Sequence, residues 1–139
     1  MITEDREASV LFRERLSAIR HDLRTPVGHI LGYAEILLEE NEGDISAEQA
    51  EDLRQIQHGG ERLLNLIDDC LGANKSSVEE LDLAAAQHGL RTLLTHISGY
   101  CEMLEEVYED DDPHELMPDI GSIGSATRNL MEQINRELT

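Results

Sequence analysis

Residues 21–40 read HDLRTPVGHILGYAEILLEE, and residues 88–107 read HGLRTLLTHISGYCEMLEEV. At an offset of 67, eleven of these 20 positions are identical, where chance would give roughly one or two. The same offset carries Leu53 onto Ile120, Ile56 onto Ile123, Leu63 onto Leu130, Ile67 onto Ile134 and Leu71 onto Leu138. The similarity thus runs through two consecutive segments without insertion. The chain reads as a repeated two-segment unit.

Each segment carries a helical period. Leu16, Ile19, Leu23, Val27, Ile30, Ala34 and Leu37 follow one another in steps of three or four, the seam of a coiled-coil type of packing. Leu53, Ile56, Leu63 and Ile67 keep the beat in the second segment, with Gly60 filling one place. The third uses Leu83, Leu90, Leu94, Ile97, Cys101 and Leu104, and the fourth Ile120, Ile123, Leu130, Ile134 and Leu138. Stop and start signals fall between them. Asn41-Glu42-Gly43-Asp44 ends the first helix, and Ser46 with Gln49 forms a capping box for the second. Gly72-Ala73-Asn74-Lys75 breaks the chain, and Ser77 with Glu80 caps the third. Asp110 to Asp112 followed by Pro113 makes the last turn, with Pro113 at the first helical position and Glu115 closing the cap. The spacing predicts helices at about 5–40, 46–71, 78–109 and 113–138.

One hairpin of two such helices leaves part of its apolar stripe open, and two hairpins close it. The expected fold is all-α: an antiparallel four-helix bundle made of two tandem helical hairpins, an intramolecular pseudo-dimer. The first hairpin is expected at 1–72, a linker at 73–77 and the second hairpin at 78–139. A chain that closes its own bundle is expected to be monomeric.

Composition agrees. The 139 residues suffice for one domain or two small ones with a shared core. Aromatic residues are only 3%, which argues against β-sandwiches and barrels. Thirty acidic against 11 basic residues give a net charge of -19, a surface that repels phosphate backbones and anionic lipid. Neither nucleic acid nor a membrane is expected as a partner. The polar N-terminus and the lack of a long apolar run point to the cytoplasm. Cys70 and Cys101 would there stay reduced, and they lack CxxC spacing. No metal or cofactor is expected.

His21 falls between the seam residues Ile19 and Leu23, and at ~100° per residue points about 160° away from both. Asp22 follows it. Pro26 in mid-helix removes a hydrogen bond and should kink the helix just after His21. An exposed imidazole beside an acid and a helix defect suits chemistry better than packing.

The six residues H-D-L-R-T-P resemble the phosphoacceptor motif, H-E/D-x-R/K-T/N-P, of the dimerisation and histidine phosphotransfer (HisKA-type, DHp) domain of two-component sensor histidine kinases. The resemblance covers residues 10–71 well and 83–138 as a degenerate second copy. It implies that His21 takes the phosphoryl group through Nε2. It implies further that Asp22 orients the ring and acts as general base. Thr25 would place a water for dephosphorylating a receiver, Pro26 would supply a bend, and Arg24 would balance local charge. In the second copy His88 is present, but Gly89 replaces the acid and Leu93 the proline. His88 is therefore expected to be inactive or much weaker, with its helices retained to complete the bundle.

A histidine kinase also needs an ATP-binding domain of about 150 residues with an Asn-bearing helix and a Gly-rich lid, and these residues contain neither motif. The expected function is a phosphotransfer module of a phosphorelay, without autonomous kinase activity, exchanging phosphate between His21 and the aspartate of a response-regulator receiver. Receiver phosphatase activity is left open. The donor would be a receiver or a histidine kinase in trans, or a domain outside these residues. The receiver is expected to dock near Val27, Ile30, Leu31, Leu64 and Ile67. The alternative is a non-catalytic, pseudokinase-like scaffold that binds a receiver or kinase and regulates an attached output domain. Of the other histidines, His29 and His96 are expected to be partly buried or partner-facing, and His58 and His114 ordinary surface residues. Tyr33 and Tyr100 are expected to pack, Cys101 to act as a small buried hydrophobe, and the acidic run through Asp112 to be a solvated turn.

Overall fold

The computed structural model describes residues 2–72 and 82–138, with side chains from Arg6 onward. Four helices carry them: α1 (Ile2–Glu40), α2 (Ala47–Leu71), α3 (Leu83–Tyr108) and α4 (Met117–Glu137). Each packs on the next, and α4 returns to α1. The result is the expected all-α bundle of two hairpins, with α1 facing α3 and α2 facing α4 across the core.

The seam residues fill that core. Leu23, Val27, Ile30, Leu53, Ile56, Leu63, Ile67, Leu90, Leu94, Ile97, Leu130 and Ile134 are all 0% exposed, and each such side chain contributes about 1.5–3 kcal/mol on leaving water. Ile19 and Leu83, also read into the seam, are only half-buried. Cys101 is buried, and burial pushes its thiol up to about 12, so it packs as an inert hydrophobe. Tyr33 and Tyr100 pack against the core edge. Leu16 is the first buried residue of α1 among the described side chains, and before it Val10 and Leu11 are exposed.

Gly59 and Gly60 have a packing role that the sequence left without an account. A Cβ at Gly59 would stand 2.8 Å from Ile97 Cγ1 on α3, and one at Gly60 would stand 2.8 Å from Leu31 Cδ2 on α1. Both neighbours of α2 approach its backbone here, and only hydrogen fits beneath them without a shift.

The ends of the helices follow their caps. Ser46 accepts from the Gln49 amide at 3.1 Å and Gln49 Oε1 accepts from the Ser46 amide, the capping box read in the sequence. Gln49 Oε1 also accepts from the Tyr108 hydroxyl, tying the end of α3 to the start of α2. Gly43 turns the first hairpin with φ 87, a conformation open to glycine.

Two boundaries differ from expectation. α3 starts at Leu83 rather than 78, with Asp82 accepting from the Ala85 amide at 2.9 Å. The expected cap at Ser77 and Glu80, and the linker at 73–77, lie outside the described residues. α4 starts at Met117 rather than at Pro113. Glu115 takes φ 54, which a right-handed helix cannot contain, so it does not close a cap. Asp112 does that instead: its two carboxylate oxygens accept from the amides of Leu116 and Met117 at 2.8 and 2.9 Å. Pro118 then takes the early helical position that Pro113 was expected to hold.

The two hairpins repeat contacts as well as residues. Arg24 of α1 donates to Asp68 of α2, and Arg91 of α3 donates to Asn135 of α4, 67 residues on in both partners. The Thr25 hydroxyl donates to the His21 carbonyl at 3.0 Å, and the Thr92 hydroxyl to that of His88 at 2.9 Å.

Candidate functional site

His21 and Asp22 are both exposed, on either side of nothing but their own backbone, while the next residue, Leu23, is fully buried. The seam at Leu16, Leu23, Val27 and Ile30 turns one side of α1 inward, which leaves His21, Thr25 and Gly28 on the outward stripe. A Cβ at Gly28 or Gly32 would meet nothing within 4 Å. Beyond Thr25 the outward stripe therefore carries no side chain at Gly28 or Gly32. Neither the His21 ring nor the Asp22 carboxylate carries a hydrogen bond to another described residue.

Helix packing fixes the flanks. Arg24 pairs with Asp68 at 2.6 Å, with both side chains about half exposed, so the pair orients α2 against α1 more than it stabilises. Arg20 donates to the Leu71 carbonyl at 2.6 Å and closes the C-terminus of α2. Pro26 lies within the unbroken α1. Its missing N–H would have bonded to the carbonyl of Asp22. That carbonyl instead accepts from Gln133 Nε2 of α4 at 3.2 Å.

Sequence reasoning missed Gln133 and its neighbour Glu137. The signal was available in the 67-residue offset, which aligns them with the far less polar Leu66 and Cys70. Glu137 Oε2 is buried without a hydrogen-bond partner. Burial, and secondarily the nearby Asp22 carboxylate, push Glu137 above the usual carboxylate range. The folded chain thus binds a proton at Glu137 more tightly than the unfolded chain. Its charge opposes folding above the raised value, and the penalty vanishes once both states are protonated. Glu137→Gln is expected to raise the melting temperature at pH 7 and to have little effect near pH 4, as thermal unfolding at the two values would show.

The expected docking set needs correction. Val27, Ile30 and Ile67 are 0% exposed and hold the bundle together, so no partner can touch their side chains. Leu31 and Leu64 are half-buried, and Leu31 is in part committed to Gly60. Val27, Ile30 and Ile67 belong to the apolar seam, and burial of that seam takes their side chains off the docking face. His29 and His96 are exposed, which removes the partly buried half of their expectation and is compatible with the partner-facing half. His29 and Tyr33 line a groove against Ser125 and Asn129 of α4. Among the described residues no cluster of three His, Cys, Asp or Glu side chains could hold a metal ion, and no helix is long and apolar enough to cross a membrane.

The second site is built differently. His88 is exposed like His21, but a Cβ at Gly89 would stand 2.8 Å from Leu66 Cδ2. Leu66 fills the space in which an acid would begin. His88 lacks its carboxylate, and an acid at position 89 would first have to displace Leu66.

Residues 13–76 match the His Kinase A (phospho-acceptor) domain family. The chain is 29% identical over 133 residues to "Probable histidine kinase 3" of Oryza sativa subsp. japonica, a match covering 90% of the chain and 13% of that protein. It is 35% identical over 81 residues to "Cell-division control histidine kinase PdhS" of Brucella anthropi, covering 58% of the chain and 8% of that protein. The Brucella ovis protein of the same name matches equally, 35% over 81 residues. The chain thus spans about an eighth or less of the length of these relatives. No solved structure matches it.

Proposed function

We propose that the chain is a histidine phosphotransfer module in which His21 exchanges a phosphoryl group with the aspartate of a receiver domain. The carrying observation is the exposed His21–Asp22 pair on the outward stripe of α1, inside the segment that matches the phospho-acceptor family. In the forward step, His21 Nε2 attacks the phosphorus of an aspartyl phosphate. The P–O bond to the carboxylate breaks and a P–N bond forms. Asp22 accepts from Nδ1 and holds the imidazolium proton while charge develops on the ring. Thr25 lies one turn on, and its hydroxyl, which donates to the His21 carbonyl, keeps lone pairs free to hold a water against a phosphorylated receiver. Support for the docking face comes from the bare backbone at Gly28 and Gly32 together with half-buried Leu64. With no ATP-binding motif in these residues, the phosphate comes from a receiver, from a kinase in trans or from another part of a longer protein.

The test is incubation of the chain with a receiver carrying radiolabelled phosphate. Label is expected to move to the chain and to be lost in acid but retained in base, as a phosphoramidate is. A chain that binds the receiver and takes up no label would overturn the transfer reading and leave a scaffold.

A further inference from the structure

We propose that Gln133, on the second hairpin, is a positioning residue for the phosphoacceptor: it supplies from α4 the hydrogen bond that Pro26 removes from α1. This rests on the reading of His21 as the residue that takes phosphate. A proline at position 26 has no N–H to give the carbonyl four residues back. Gln133 Nε2 donates to that carbonyl, of Asp22, at 3.2 Å. The peptide so held joins Asp22 to Leu23 and is anchored at the Asp22 Cα, so its tilt sets the direction in which the Asp22 carboxylate leaves the helix beside the His21 ring.

The other half of the molecule acts as an internal control. Position 93 there is Leu, with a backbone N–H, and no side chain is needed to replace it. The residue that corresponds to Gln133 is Leu66, which has no donor and packs over Gly89. The donor stands where the proline has opened a carbonyl and is missing where it has not. Thr25 and Thr92 hold the neighbouring carbonyls alike in both halves, so they do not account for the difference. The second hairpin thereby does more than fill the bundle: it completes the active helix of the first.

The energetic scale suits orientation better than stability. Asp22 is exposed, so water can take the carbonyl when Gln133 is lost, and the fold should barely notice. Water does not hold the peptide in one direction, and misdirection of a reacting group costs rate.

Phosphoramidate tests this in the full chain without any partner. Its P–N bond breaks, a new P–N bond forms on the His21 ring, and ammonia leaves. The initial rate of His21 labelling, followed by mass, is expected to fall about fivefold in Gln133→Leu, the worth of one hydrogen bond, with the melting temperature nearly unchanged. Gln133→Glu should be slow near pH 8, where a carboxylate cannot donate. In a Pro26→Ala background, which restores the N–H, Gln133→Leu should change the rate less than about twofold. Labelling of Gln133→Leu at the wild-type rate, or an equal loss with and without Pro26, would overturn the proposal. The amide nitrogen resonance of Leu23, bonded to the Asp22 carbonyl carbon, separates the two readings. If wild type takes no label but this resonance shifts in Gln133→Leu and not in the Pro26→Ala pair, the phosphoacceptor reading fails and the positioning contact stands. If wild type labels and the resonance is unmoved, Gln133 has no such role.

Discussion

Replacing His21 with Gln is expected to remove essentially all transferable phosphate from the chain, a loss of more than about 100-fold in label, because no other group at the site can replace the ring nitrogen as nucleophile. Gln keeps the helix and the size of the side chain, and His21 is exposed, so the bundle should melt as before. His88→Gln should leave the label almost intact. The contrast follows from local geometry rather than from exposure, which the two histidines share. His21 has a carboxylate beside it. His88 has Gly89, pressed by Leu66. General acid–base assistance contributes typically 10²–10⁴-fold, so the unassisted ring should be slow by that margin. Receiver-dependent labelling of the two variants, quantified after neutral gels, is the measurement. Equal loss in both, or retention in His21→Gln, would contradict the assignment.

Truncating the core is expected to have the largest effect on stability. Leu23 and Leu90 occupy matching positions in α1 and α3, and both are 0% exposed. Leu→Ala at either site should cost about 2–5 kcal/mol and lower the melting temperature by about 5–15 °C. Since the four helices enclose one core, each variant should melt in a single transition, as judged by circular dichroism. Separate transitions, with Leu90→Ala moving only one of them, would mean that the hairpins fold independently and that the shared core is not the source of stability.

The period of the apolar residues was enough to foresee four helices and their pairing, because burying a stripe of side chains is a strong, repeated demand. Leu23, Val27, Ile30 and their partners in the other three helices answer it at 0% exposure. The capping box at Ser46 was legible for the same reason, since both halves of a local hydrogen-bonded pair are written three residues apart. The start of α4 was not. Two prolines five residues apart both suit a first turn, and the choice fell to Asp112, whose carboxylate reaches the amides of Leu116 and Met117. The docking set conflicts with the seam that the same apolar pattern defines: Val27, Ile30 and Ile67 belong to that seam, and they are 0% exposed.

His21, Asp22, Thr25 and Pro26 stand within one and a half turns, so the outward position of His21, Asp22 and Thr25 follows from helical spacing, while the roles expected of them rest on the resemblance of their motif. What acts on them from a distance does not follow from spacing. The bond from Gln133 to the Asp22 carbonyl spans 111 positions, and Leu66 reaches Gly89 only because α2 lies against α3. Local order is set by neighbours along the chain. Partners brought together by closure of the bundle depend on which helix ends up beside which, and that is decided by the burial of all four seams at once.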